Sequence, residues 1–554
     1  MAVRAAERMT QPLSAAAASR DVFRRLAAAL RALAGWRRLL VAAACGALAS
    51  AALPPLYLVP LLWPAFTGLV WLLDGALRRR QAFWIGWAFG FGHFLTGLYW
   101  VAIAFFVDAE RFGALAPVAL LGLAAGLALF PALAVLLVQV SGQRGLARVL
   151  LLSAAWLLVE WIRSWLFGGF PWNLIGTVWV FSDAMIQLAA LLGVWGLSWI
   201  TVLAAAAPAL LGEAGAAPGR ARRLAVGLAL GLGLLLPAAV WGGGMLRLQA
   251  APPAGSDSVP GVRLRLVQPS IEQSLKWQAG LRQQHVAQQM TMTVGPGYDS
   301  ISHVIWAETA VPFNLPAEPE LRRALGQVVP AGGALIVGAP RAVDEGRERT
   351  LWNALFALDR AGGIIASYDK VNLVPFGEFM PLRNWLGFAK LTPGGTDFSA
   401  GPGRRTIALP GTLPGTLPGT LPGLPPFSPL ICYEVIFPGQ VVADGPRPRW
   451  LLSVTNDAWF GLSSGPHQHL ASARLRAVEE GLPMIRVANN GITAAIDGYG
   501  RALQRLGLNE VGVIDSALPE ALSPGPVFAT IGNWSVLVVL VITLSASFLT
   551  RSIP

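Results

Sequence analysis

Between residues 39 and 246 the chain passes through seven long apolar stretches, almost free of charge, and an eighth follows at 527 to 549. A helix of about 20 apolar residues crosses the hydrocarbon core of a bilayer. Within lipid, each backbone N–H and C=O must find its partner in its own segment, which restricts such stretches to helices. The expected spans are 39 to 53, 56 to 73, 82 to 106, 115 to 140, 149 to 168, 188 to 211, 224 to 246 and 527 to 549. With 54% hydrophobic and 13% charged residues among 554, the composition excludes an ordinary soluble protein. The layout is a basic extension over 1–38, a seven-span bundle over 39–246, a mixed extramembrane domain over 247–526, a last span, and a short tail over 550–554.

Arginines mark one side of this layout. They cluster at Arg20, Arg24, Arg25, Arg37 and Arg38, at Arg78 to Arg80, at Arg144 and Arg148, at Arg220, Arg222 and Arg223, and at Arg551. These are alternate loops, so the positive-inside rule puts both termini in the cytoplasm and residues 247–526 across the membrane, in the periplasm of a bacterium. The same distribution accounts for the net charge of +12 without nucleic acid as a partner. The first stretch, LLVAAACGALASAA, also fits the apolar core of a cleaved signal peptide, and both readings stay open. The aromatic segment GGFPWNLIGTVWVF, 168 to 181, is too interrupted to span and is placed at the outer membrane surface. Glu160 and Arg163, at i and i+3 within the fifth span, are expected to pair with each other.

The extramembrane part alternates short apolar strands (VRLRLVQ, HVIWAE, ALIVGAP, LWNALFALD, GIIASYD, PLICYE, WLLSVTN, MIRVANN, ITAAID) with helices at 276–294, 317–329 and 467–480. This is an α/β pattern, and such folds carry chemistry at strand ends. The tetrapeptide repeat LPGTLPGTLPGTLPGLPP, 409–426, has no apolar periodicity and reads as an exposed insert.

Two cysteines, Cys45 and Cys432, cannot build a disulfide framework, which leaves Cys432 as a free thiol at a strand end. Of 42 basic residues only three are lysines: Lys276, Lys370 and Lys390. Lys370 after Asp369 therefore suggests a compact ammonium with a tunable pKa, with a surface lysine as the alternative. Glu308 ends HVIWAE, where partial desolvation would raise its basicity; a solvated turn acid is the bland reading. Together the three supply a nucleophile, a base and an oxyanion-stabilising cation, the parts of acyl transfer through a thioester. His467 and His469 in GPHQH fit packing or capping of a helix start better than metal binding. Neither a metal nor another cofactor is expected.

The order Glu308, Lys370, Cys432 resembles the Glu-Lys-Cys triad of the nitrilase superfamily. The surrounding motifs are YDKVNLVPFGEFMPL, ICYEVIFP and TNDAWFGLSSGPHQHLASARLRAVEEGLPMIRVANNGITAAID. With the spans, the whole chain resembles the apolipoprotein N-acyltransferase family of the bacterial inner membrane. The resemblance implies an αββα sandwich on the periplasmic face of the bundle. It further implies transfer of the sn-1 acyl chain of a phospholipid, typically phosphatidylethanolamine, through a Cys432 thioester to the α-amine of an apolipoprotein's S-diacylglyceryl cysteine. Glu308 would be the base and Lys370 the oxyanion partner. Glu378 would support Lys370, and Glu434 would orient the site or substrate. Trp277 matches a tryptophan that handles lipid, and Tyr433 and Trp459 would line the acyl pocket. The chain is expected to act as a monomer. A membrane-tethered amidase with the same triad, and a transporter or scaffold with a binding domain, are the competing readings; few intramembrane ionisable residues speak for an ion pathway.

Overall fold

The computed structural model describes residues 15–213, 219–345, 348–380, 397–409 and 423–551. Most of the tetrapeptide repeat, and Lys390, lie outside them. Among the described residues four helices are long and apolar enough to cross a membrane: Ala109–Ser141, Gly145–Arg163, Met185–Gly212 and Arg222–Gln249. Arg79–Gly97 and Tyr99–Phe106, bent by 47°, make a fifth if they form one span. Val59–Asp74 and Trp534–Leu549 are apolar but shorter, and the first expected span is the 16-residue helix Gly35–Ser50. The basic extension contains a helix, Ala15–Ala32, bound to the bundle through Arg31, which donates to Asp74 at 2.9 Å.

The expected Glu160–Arg163 ion pair is replaced by contacts to the aromatic segment. Glu160 Oε1 accepts from the Ile175 N–H at 2.8 Å and the Trp156 indole at 3.2 Å. Arg163 donates to the carbonyls of Phe170 and Trp172 at 2.5 and 2.7 Å. A buried charge takes the partners that satisfy its geometry, and an interrupted backbone offers free N–H and C=O groups that a helix neighbour does not. Residues 171–180 are accordingly all buried.

The part of the chain from 258 to 519 is built on two sheets. Its strands are β1 (Ser258–Gln268), β2 (His303–Trp306), β3 (Ala334–Glu345), β4 (Glu348–Leu358), β5 (Ile364–Asp369), β6 (Phe427–Ile431), β7 (Trp450–Thr455), β8 (Met484–Ala488), β9 (Thr493–Ile496), β10 (Ala502–Leu506) and β11 (Gly512–Pro519). The first sheet has the order β11-β1-β2-β3-β4-β5 and the second β10-β9-β8-β7-β6. β1, β2 and β3 run parallel, as do β6, β7 and β8, so their carboxyl ends gather on one side of each sheet.

Alternation along the strands sorts the faces. Leu264, Leu266, Ile305 and Ile336 meet Leu452, Val454, Ile485 and Val487 between the sheets. Val267, Val304 and Trp306 face outward with Leu325 of the helix Pro319–Gly326. The outer face of the second sheet, with Leu451, Met484 and Ala494, packs on Ala473 and Ala477 of the helix Gly465–Glu480. That helix turns its other side, Ala471, Leu475 and Val478, to the bundle. It is thus both the outer α layer of an αββα sandwich and the floor on which the domain rests.

One arginine of VRLRLVQ departs from simple alternation with solvent. Arg265 is fully buried, pairing with Asp515 of β11 at 2.7 Å and donating to the Thr293 carbonyl at 2.7 Å, because the helix Arg282–Thr293 ends over that face.

Candidate active site

Glu308, Lys370 and Cys432 each stand one or two residues past a strand, after β2, β5 and β6. The two sheets bring these ends to one seam, and all three side chains are buried.

Glu308 is held from both sheets. Its Oε1 accepts from Asn353 Nδ2 of β4 at 2.7 Å, and its Oε2 from the backbone N–H of Asn456, just past β7, at 2.7 Å. Behind it, Gly338 of β3 lies so close that a Cβ would sit 2.5 Å from the Thr309 nitrogen and 2.7 Å from the Glu308 Cα. The acid turn fits only against a residue without a side chain.

Lys370 Nζ lies 2.9 Å from Glu378 and 3.6 Å from Glu308 Oε1. Burial alone would lower its pKa, but Glu378, then Glu308 and Cys432, reverse the effect and hold the ammonium above the ordinary lysine value. Asn353 Nδ2 also donates to Glu378 Oε1, at 3.0 Å, so one amide ties the two carboxylates together. Glu378 Oε2 accepts the Val374 N–H at 2.8 Å, which closes the PFGEF loop on the site.

Cys432 opens a short 3₁₀ turn, Cys432–Ile436, at φ +51°, a left-handed backbone that a non-glycine residue holds only under tertiary constraint. Burial pushes its thiol well above the ordinary value; Glu308 adds to the shift and Lys370 opposes it. The sulfur stands within electrostatic reach of the Glu308 and Lys370 side chains. This arrangement can move a proton from sulfur to carboxylate as the thiolate attacks, and can stabilise negative charge on a carbonyl oxygen.

Glu434 is wholly buried. Its Oε1 accepts from the Tyr368 hydroxyl at 2.9 Å and from the Val371 and Asn372 N–H groups at 2.8 and 3.2 Å, and its Oε2 from the Ile431 N–H at 2.7 Å. It braces the Cys432 turn against the Lys370 loop. Tyr433 points to the bundle: its hydroxyl donates to the Gly169 carbonyl at 2.8 Å, and its ring lies by Phe170 and Phe437. Trp277 and Trp459 are half-buried, one after the turn Gln273–Lys276 and the other in the turn Asp457–Phe460.

Sequence reasoning gave no part in the site to five polar residues here, among them His469, which it read as packing or capping of a helix start. Asn353 is one. Lys276 Nζ donates to the Glu308 carbonyl at 3.1 Å, and burial, opposed by Glu308, lowers its pKa to about 8. Its place among only three lysines was the available signal. His469, Asp457 and Arg486 form a buried cluster. His469 Nε2 lies 3.0 Å from the Cys432 carbonyl and its Nδ1 2.9 Å from Asp457 Oδ1, while Arg486 donates to Asp457 Oδ2 at 2.7 Å. Asp457 is held well below the usual carboxylate range: burial opposes this, but Arg486 and His469 outweigh it. Burial and Arg486 lower the His469 pKa against Asp457.

Residues 45–207 match the family model described as the apolipoprotein N-acyltransferase N-terminal domain, and residues 264–523 match that of carbon-nitrogen hydrolase. A protein of Rhodopseudomonas palustris named apolipoprotein N-acyltransferase is 39% identical, over 95% of this chain and 98% of its own length. One of the same name from Allorhizobium ampelinum is 40% identical, over 90% and 93%. Among solved structures, a mutant of the amidase from Nesterenkonia sp. AN1 is 19% identical, covers 49% of this chain and 93% of its own, and gives a TM-score of 0.32. By its similarity to full-length relatives, the chain belongs to the apolipoprotein N-acyltransferase family.

Proposed function

We propose that this enzyme moves the sn-1 acyl chain of a phospholipid, typically phosphatidylethanolamine, to the α-amine of the S-diacylglyceryl cysteine that begins an apolipoprotein. The carrying observation is the convergence of Glu308, Lys370 and Cys432 from three strand ends into one buried seam. In the first half-reaction Glu308 takes the Cys432 proton as sulfur attacks the ester carbonyl. The C–O bond breaks, the lysophospholipid leaves with the proton from Glu308, and the thioester remains. In the second, the amine attacks the thioester, Glu308 accepts its proton, the C–S bond breaks, and the amide and the thiol form. Lys370 faces the oxyanion in both, with Glu378 and Asn353 fixing its place.

Eight spans, seven within 39–246 and one at 527–549, carry the catalytic domain over 247–526 on the periplasmic face of the inner membrane in this reading. The arginine clusters on alternate loops support it. Both substrates are lipid-anchored, which gives the bundle its purpose. Phe376 of the PFGEF loop and Leu462 beyond Trp459 are exposed apolar side chains near the site, suited to entering the headgroup layer. Trp277 and Trp459 contact lipid, Tyr433 docks the nucleophile turn on the bundle, and the enzyme acts as a monomer. The residues 1–38 and 550–554 lie in the cytoplasm.

The test is the intact mass of the detergent-purified protein after exposure to phosphatidylethanolamine. A hydroxylamine-labile fatty-acyl increment, absent from Cys432→Ala, is expected. A folded protein that releases free fatty acid or hydrolyses small amides, and never carries the increment, would favour a tethered amidase instead.

A further inference from the structure

The nucleophile's backbone is held in a left-handed conformation, and its flanking groups are satisfied by side chains, one from the same turn and one distant in sequence. On one side Glu434 accepts the Ile431 N–H; on the other the Cys432 carbonyl faces His469 Nε2 at 3.0 Å. A carbonyl only accepts, so Nε2 carries the proton in that contact. The imidazole has no freedom to turn. Its Nδ1 accepts from Arg486 at 3.1 Å, Arg486 is held by Asp457 Oδ2 at 2.7 Å, and the Trp172 ring lies against the imidazole with centroids 5.3 Å apart. The neighbouring Gln468 fixes the same helical turn to the bundle, its Oε1 accepting indole N–H groups from Trp172 at 2.9 Å and Trp100 at 3.0 Å. His469 is fully buried.

From this geometry we infer that His469 is a positioning residue for the nucleophile: it grips the Cys432 carbonyl, is oriented by Asp457 and Arg486, and is backed by Trp172 of the membrane bundle. The inference deepens the thioester reading and rests on it for its role in acyl transfer. The bundle then does more than anchor the enzyme. Through Trp172 and Gln468 it sets the angle from which Cys432 meets the acyl ester.

The test compares the full-length parent with His469→Leu and His469→Gln in detergent, with dioleoyl phosphatidylethanolamine as donor. Single-turnover thioester formation should fall on the order of 100-fold in His469→Leu, the scale of a misplaced reacting group, with the half-saturating lipid concentration unchanged. His469→Gln keeps a donor for the carbonyl and should recover about 10-fold of the loss, the worth of one hydrogen bond. A folded His469→Leu that acylates at the parental rate, or a His469→Gln no better than it, would overturn the inference. Should His469→Leu not fold, Asp457→Asn removes the anion that holds Arg486 against the ring while leaving His469 in place. About 10-fold slower acylation is expected there, and the parental rate would contradict it. Alkylation of Cys432 by iodoacetamide, followed by peptide mapping, separates the two claims. If the parent forms no thioester, the acyl-transfer reading fails. Slower Cys432 alkylation in His469→Leu would still support positioning, and an unchanged rate would refute it.

Discussion

Lys370 and Glu378 form an ion pair closed off from solvent, with the ammonium nitrogen 2.9 Å from the carboxylate and both side chains buried. Glu308, the third charge, stands farther from the same nitrogen at 3.6 Å. Glu378 is thus the nearer partner of Lys370, and in the proposed mechanism Glu308 is the acid that exchanges a proton with Cys432.

Removing Glu378 tests this assignment. Glu378→Ala leaves the ammonium buried with only Glu308 as a counterion, so Glu308 is drawn into a structural pair. A buried pair broken on one side costs about 3–5 kcal/mol. The expected result is a lower melting temperature together with loss of thioester formation; a variant that melts earlier but acylates at the parental rate would show that Glu378 serves stability alone.

Gly338→Ala tests the fit behind the base. Its Cβ would meet the Ala307 oxygen at 2.6 Å as well as the Thr309 nitrogen, backbone atoms that cannot rotate aside. Overpacking of this kind costs about 1–3 kcal/mol. Displacing the Glu308 turn should slow acylation on the order of 100-fold while lipid binding holds. Kinetics on vesicle-presented phospholipid would separate the two.

Lys276 gives a pH signature. Its folded pKa of about 8 lies below the ordinary lysine value, because burial disfavours the cation. Between about pH 8 and the unfolded value near 10.4 the unfolded chain binds more protons, so this group makes stability rise with pH across that window. Below it the penalty is fully present. Melting temperatures of the parent minus those of Lys276→Met should climb over that window, by the equivalent of about 3 kcal/mol. A flat difference would contradict a cation buried beside Glu308.

Glu434→Gln addresses the brace. Four donors converge on the carboxylate, and an amide sets its own N–H groups against at least one of them. A buried donor left without a partner costs about 1–3 kcal/mol. Thermal unfolding should shift accordingly, and Cys432 should alkylate more slowly. Parental stability would mean that the turn relaxes at no cost.

Much of this was legible in the chain. Apolar runs became helices because lipid permits little else, and Glu308, Lys370 and Cys432 stood out because each follows a short apolar strand. What stayed hidden depends on tertiary partners. Asn353, Asp457 and Arg486 carry no local mark of burial, and His469 showed only a packing role: a polar residue becomes part of a site only when another strand end arrives beside it. β10 and β11 were missed for a related reason. ALQRL is mostly solvent-facing, and GVIDSALP gains its place by pairing antiparallel with β1. Glu160 and Arg163 were matched by helical spacing, whereas the stronger partners lay in the aromatic segment that follows.

The most direct measurement is transfer itself. The purified protein would be given phosphatidylethanolamine and a synthetic peptide beginning with S-diacylglyceryl cysteine, with a free or an acetylated α-amine, and the peptide mass read. The account predicts one added acyl chain on the free-amine peptide, one lysophospholipid formed for each, none on the acetylated peptide, and none with Cys432→Ala. Fatty acid released to water with no gain on the peptide, or transfer that persists in Cys432→Ala, would contradict it.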